Sequence, residues 1–231
     1  MKPTSAPRHG ERSVHVTTDS GTLEGILAIP EDAEGIVLFA HGSGSGRFSP
    51  RNQFVARGLH EGGLATLLID LLTAEEEKID SRTKHLRFDT DLLATRMVGA
   101  TDWLLREPDT RSLRIGYFGS STGAAAALVA AAQRPDAVGA VVSRGGRPDL
   151  AIPILDVVKA PTLLIVGGDD VPVIALNREA MEGMRVEKKL EIIPGATHLF
   201  EEPGTLEEVV RLAQAWFRQH LGAVGVSRRA V

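Results

Sequence analysis

Short apolar runs alternate with helix-spaced segments along almost the whole chain. Several runs are continuous rather than alternating: GIVLFA (35–40), LATLLID (64–70), LRIGYFG (113–119), VGAVVS (138–143), TLLIVG (162–167) and KLEIIP (189–194). A strand that is apolar on both faces must be covered on both, which places these runs in a parallel sheet with helices on each side. Ahead of them, SVHVTT and TLEGILAIP flank Asp19-Ser20-Gly21. That turn signal between strand-like runs predicts a half-buried antiparallel hairpin.

The intervening segments carry helix signals. Ser49-Pro50 reads as an N-cap followed by a first-turn proline, opening a helix through Phe54, Val55 and Leu59. From Asp91 to about Leu105, Leu93, Met97, Ala100 and Leu104 recur on one helical face. Thr205 and Glu208 read as a capping box, with Val209, Ala213, Trp216 and Phe217 as the apolar face that follows. Alternating strands and helices predict an α/β class fold: a mostly parallel, doubly wound sheet with an N-terminal antiparallel hairpin. There is no repeat, linker or low-complexity tract, so residues 1–231 are expected to form a single domain. Its ordered core is expected at about residues 11–221, with flexible termini.

Composition narrows the function classes. A formal net charge of −4 shows no basic excess, which argues against nucleic acid as a partner. The absence of cysteine removes disulfides, thiolate metal sites and cysteine nucleophiles. No segment has the apolar length of a signal peptide or a bilayer span, so the expectation is a cytoplasmic protein with no membrane partner. Oligomeric state leaves no mark in the sequence.

The stretch GYFGSSTG holds the chemistry. It follows a strand, opens a helix, and contains G-x-S-x-G as Gly119-Ser120-Ser121-Thr122-Gly123. This is the setting of a nucleophile elbow, where a serine sits on a sharp strand-to-helix turn. In this register Ser121 reacts and Ser120 is the spacer; Ala124 to Ala127 let the helix lie close to the sheet. A phosphate-binding P-loop is disfavoured, because no lysine follows the glycines.

A serine hydroxyl needs a base, and the base needs a carboxylate to hold its tautomer. After TLLIVG come Asp169 and Asp170, and after KLEIIP comes His198, so acid and base follow the serine on successive post-strand loops. Of the two histidines beyond the acid, His220 falls at a helix end, where a cation suits the dipole, which leaves His198 as the base. Of the neighbouring aspartates, Asp170 is taken as the acid and Asp169 as a turn cap. Asp70 precedes the serine and is read as a loop brace. Two oxyanion donors are expected: the Thr122 N–H at the start of the helix, and the Ser43 N–H in the glycine-rich loop His41–Gly46.

Taken in order, HGSGSGR, FGSSTG, VGGDD and GATHLF resemble the α/β-hydrolase superfamily, specifically the dienelactone hydrolase family, over roughly residues 20 to 221. The resemblance implies an α/β-hydrolase fold without a large lid domain, a catalytic triad of Ser121, Asp170 and His198, and no cofactor or metal. Dienelactone hydrolases themselves use a cysteine nucleophile and carry a glutamate where this chain has Gly42. The resemblance therefore implies a serine member that cleaves small carboxylic esters through an acyl-enzyme, with an ester and water as its partners. The alternatives are a lactone, thioester or amide hydrolase on the same triad, or a ligand-binding receptor with vestigial hydrolase activity. The interval 144–161 is too short for a large lid, so an open site is expected, bordered by the charged stretch TAEEEKIDSRTKH (73–85). Arg47, Arg144 and Arg147 fall in loops at the same sheet edge and are candidates to bind an anionic substrate group.

Overall fold

A computed structural model describes residues 10–222; the terminal segments expected to be flexible lie outside the described residues. Eight strands form one sheet in the order β1-β2-β4-β3-β5-β6-β7-β8. Here β1 is Glu11–Thr18, β2 Gly21–Ala28, β3 Ile36–Ala40, β4 Ala65–Ile69, β5 Ile115–Ser120, β6 Val138–Arg144, β7 Thr162–Gly167 and β8 Lys188–Ile193. The first two strands pair as an antiparallel hairpin, β2 meets β4 antiparallel, and every pairing from β4 to β8 is parallel. This is the mostly parallel sheet with an antiparallel start expected from the runs of apolar residues.

Alternation within the strands sends side chains to two separate cores. Ile36, Leu38 and Ala40 of β3 face one, with Met97, Leu104 and Ala125 to Ala127; Val37 and Phe39 face the other, with Val55, Leu59, Val209 and Phe217. Helices α3 (Thr90–Arg106), α4 (Thr122–Gln133) and α5 (Val171–Gly183) cover the first face; α1 (Pro50–Glu61) and α6 (Thr205–Leu221) cover the second. Burial on this scale, at roughly 25 cal/mol per Å² of apolar surface removed from water, is the main force holding the layers together.

Two local expectations need correction. Strand β8 is only partly buried, because it is the edge of the sheet and its residues alternate with the charged Lys189 and Glu191. The capping box at Thr205 and Glu208 does not form. Gly204, left-handed at φ 83°, is the N-cap; Thr205 donates its hydroxyl to Glu202 O at 2.7 Å, and Glu208 pairs with Arg211. The charged stretch 73–85 contains a helix, α2 (Ala74–Thr83), opened by a true capping box between Thr73 and Glu76. By contrast Ser49 caps α1 as expected, its hydroxyl accepting from Asn52 N.

Strand order locates the site. From β3 the chain moves outward to β4 on one side, whereas from β5 it moves to β6 on the other. The loops leaving β3 and β5 therefore diverge, and such a switch point leaves a crevice at the carboxyl ends of the strands. Among the described residues no helix is long and apolar enough to cross a membrane.

Candidate active site

Ser121 stands at the end of β5 with φ 50° and ψ −124°, a conformation that non-glycine residues rarely adopt. The surrounding backbone holds it there: Ser121 N donates to Arg144 O at 3.3 Å, and Ser121 O accepts from Ala124 N at 3.1 Å and from Arg147 N at 3.0 Å. The flanking glycines are required by contact. A Cβ on Gly119 would lie 2.4 Å from Ala124 Cα, and one on Gly123 would lie 2.3 Å from Ala40 O. The two adjacent serines have different surroundings. Both border one cavity, but Ser120 is buried and donates its hydroxyl to Asn52 Oδ1 at 3.0 Å, while Ser121 is partly exposed.

That cavity has a volume of about 190 Å³, and His198 lines it together with Ser121. His198 Nδ1 lies 2.6 Å from Asp170 Oδ2. With the Nδ1 proton donated to the carboxylate, Nε2 is left as the ring's acceptor. Asp170 is mostly buried and follows β7, while His198 sits in the loop after β8. That loop is tied by Glu202, which accepts from Thr197 N at 3.1 Å and from the Thr197 hydroxyl at 2.6 Å. Asp169 is exposed and does not meet His198. Asp170 itself is the N-cap residue of α5 but makes no side-chain capping bond, so its carboxylate is committed to the histidine. His220 packs on Trp216 at 4.5 Å between ring centres. Burial pushes its pKa down, so the expected cation at that helix end is not favoured.

The glycine-rich loop is fastened by His41. Leu71 N donates to His41 Nε2 at 3.0 Å, so the ring proton is on Nδ1, which donates to Gly42 O at 2.9 Å. The Ser43 N–H, expected to be free for an oxyanion, instead donates to the Thr122 hydroxyl at 3.2 Å. A substrate oxygen would have to share or replace that long contact. The Thr122 N–H begins α4, where the first turn has donors without intrahelical acceptors.

The three candidate arginines separate cleanly. Arg47 is bound by Asp70, which accepts from its backbone N–H at 2.6 Å and from its guanidinium; Glu24 lies 3.8 Å away. Arg147 makes a two-pronged pair with Asp149 at 2.8 Å. Neither lines the cavity, because each has found a carboxylate close to its own loop. Arg144 does line it, 7% exposed, with Nε and Nη1 lacking hydrogen-bond partners. Its Nη2 lies 3.5 Å from Asn52 Oδ1 and its guanidinium 5.8 Å from the Phe200 ring centre. Burial, aided by repulsion from Arg51, pushes its pKa down to about 10, so it remains a cation at neutral pH. Arg51 and Asn52, from the first turn of α1, also line the cavity and were missed in the sequence. The N-cap signal at Ser49 located that turn but gave no hint of what it faces.

Comparison with known proteins shows a family and a fold. Residues 23–220 match the dienelactone hydrolase family. A crystal structure of dienelactone hydrolase from Anabaena variabilis is 64% identical, with a TM-score of 0.90, covering 91% of this chain and 98% of that one. Est1E from Butyrivibrio proteoclasticus shares the fold at 17% identity, with a TM-score of 0.75 over 90% of this chain and 98% of its own. A Mycobacterium tuberculosis protein named "Putative phosphoribosyl transferase" is 54% identical over 94% of this chain. The chain spans only 48% of that relative's length.

Proposed function

The chain belongs to the dienelactone hydrolase family and has its hydrolase fold, and we propose that it is a serine esterase acting on small carboxylic esters. The observation that carries this reading is the 2.6 Å contact between His198 and Asp170, made where His198 and the strained Ser121 face one cavity.

In this mechanism His198 Nε2 takes the proton of Ser121 Oγ as the oxygen attacks the ester carbonyl. Asp170 holds the ring in the required tautomer and stabilises the imidazolium that forms. The tetrahedral oxyanion is received by the Thr122 N–H at the head of α4, where the helix dipole adds to the hydrogen bond, and by the Ser43 N–H once it leaves the Thr122 hydroxyl. His198 then returns the proton to the departing alcohol, leaving an acyl group on Ser121. Water, deprotonated by the same histidine, releases the acid and restores the serine. The substrate ester and water are the only partners this cycle needs.

Turnover of p-nitrophenyl esters of graded acyl length tests the proposal. Esters with acyl groups of about two to six carbons are expected to be favoured. The cavity is small, and a longer chain gains about 0.8 kcal/mol per methylene only where that methylene is buried. No hydrolysis of any ester, or equal hydrolysis by a Ser121→Ala variant, would contradict it.

A further inference from the structure

A buried guanidinium without a counter-ion is costly, and chains normally place an acid beside it. Arg47 and Arg147 follow that rule and Arg144 does not. No aspartate or glutamate is among the residues lining its cavity, which are otherwise Gly42, five serines, Asn52, Arg51, His198 and Leu199. A second cation flanks it: Arg51 Nε is also buried without a partner, while Arg51 Nη1 pairs with Glu201 at 2.9 Å. Both Arg51 and Asn52 belong to the first turn of the twelve-residue helix α1, whose N-terminus therefore opens onto the same space. Pro50 has no N–H and Ser49 takes that of Asn52, so the turn adds only its dipole and the Arg51 N–H; with two guanidinium groups these still offer more donors than a single carboxylate uses. They match a dianion with three acceptor oxygens. The volume of about 190 Å³ is several times the roughly 30 Å³ that one water occupies in the liquid.

We propose that this cavity contains a phosphate subsite formed by Arg144, Arg51 and the first turn of α1, and that the ester cleaved at Ser121 belongs to a phosphorylated small molecule. The phosphate is a handle and is neither formed nor broken: water adds across the carboxylic ester, and the phosphate leaves on one of the two products. The identity of the reaction rests on the esterase reading above; the subsite does not.

The test uses the full chain carrying Ser121→Ala, so that binding is read without turnover, and titrates it calorimetrically at low ionic strength with inorganic phosphate and, separately, with succinate. One saturable phosphate site is expected, at least tenfold weaker when Arg144→Met is added and several-fold weaker with Arg51→Ala, with succinate binding more weakly than phosphate. Absence of saturable phosphate binding, or binding unchanged by Arg144→Met, would overturn the subsite. Tighter binding of succinate than of phosphate would assign the pocket to carboxylates and overturn the phosphate reading. Should Arg144→Met not fold, Arg51→Ala, at a partly exposed position, decides the same question. In the unmodified protein, inorganic phosphate is expected to inhibit p-nitrophenyl acetate hydrolysis competitively. A chain that binds phosphate yet hydrolyses no ester would refute the esterase reading and leave the subsite standing, whereas the reverse result would refute the subsite alone.

Discussion

On the side of the cavity built by the loops after β7 and β8, each polar group has its answer. His198 meets Asp170, and Thr197 meets Glu202 through both its backbone and its hydroxyl. On the side built by the end of β6 and the start of α1, Arg144 and Arg51 keep buried donors with no acceptor among the described residues. The contrast separates two kinds of work. In the proposed mechanism the paired groups fix the geometry of a proton transfer, which has to be right before the substrate arrives. Unpaired buried donors spend stability to keep a place for something that is not part of the chain.

Breaking the paired side should have the largest consequence. His198→Ala is expected to lower turnover by about 10⁴-fold or more, because an unassisted serine hydroxyl is a poor nucleophile. A steady-state assay showing a loss below tenfold would remove His198 from the mechanism. Asp170→Asn is expected to cost up to about 10⁴-fold, since an amide no longer selects the tautomer with Nε2 free. Asp169→Asn should leave the rate near that of the parent, because Asp169 is exposed and does not meet the histidine. The reverse ranking of the two would place the acid one residue earlier.

The unpaired side should respond in the opposite sense. Arg144→Met removes a buried cation while keeping comparable bulk, and is expected to raise the thermal midpoint, by about 2–4 °C for each kcal/mol relieved. The sign follows from the titration. Arg144 has a lower pKa folded than unfolded, so its charge weakens the fold throughout neutral pH, and the penalty is relieved only above about pH 10. A midpoint lowered by Arg144→Met would instead mark the arginine as part of the scaffold. The smallest effect is expected from Ser120→Ala, which loses one hydrogen bond to Asn52, a matter of about 1 kcal/mol, and should retain activity within a few-fold in the same assay.

The paired side was also the more legible in the sequence. Strands β3 to β7 announce themselves as continuous apolar runs, and the order of serine, acid and base on post-strand loops follows from them. The helix α2 was hidden because it has no apolar stripe: only Asp80 is buried, and the helix is held by the Asp80–Arg87 and Glu76–Arg96 pairs. The box at Thr205 and Glu208 misled because Gly204 can take the left-handed turn, and so caps the helix one residue earlier. The fate of the arginines could not be read from spacing alone. Asp149 lies two residues from Arg147 and could have suggested its pair, but the partner of Arg47 is twenty-three residues away on another strand's end. That Arg144 has no carboxylate partner among the described residues is a fact of the folded chain, set by which loops converge at the switch point.

The central claim is that Ser121, alone of the two neighbouring serines, is activated by His198. Its most direct test is reaction of the intact chain with a fluorophosphonate probe, followed by mass-spectrometric mapping of the labelled peptide. Stoichiometric label is expected on Ser121, undiminished in Ser120→Ala and absent from both Ser121→Ala and His198→Ala. Label on Ser120, or label on Ser121 that persists without His198, would contradict it.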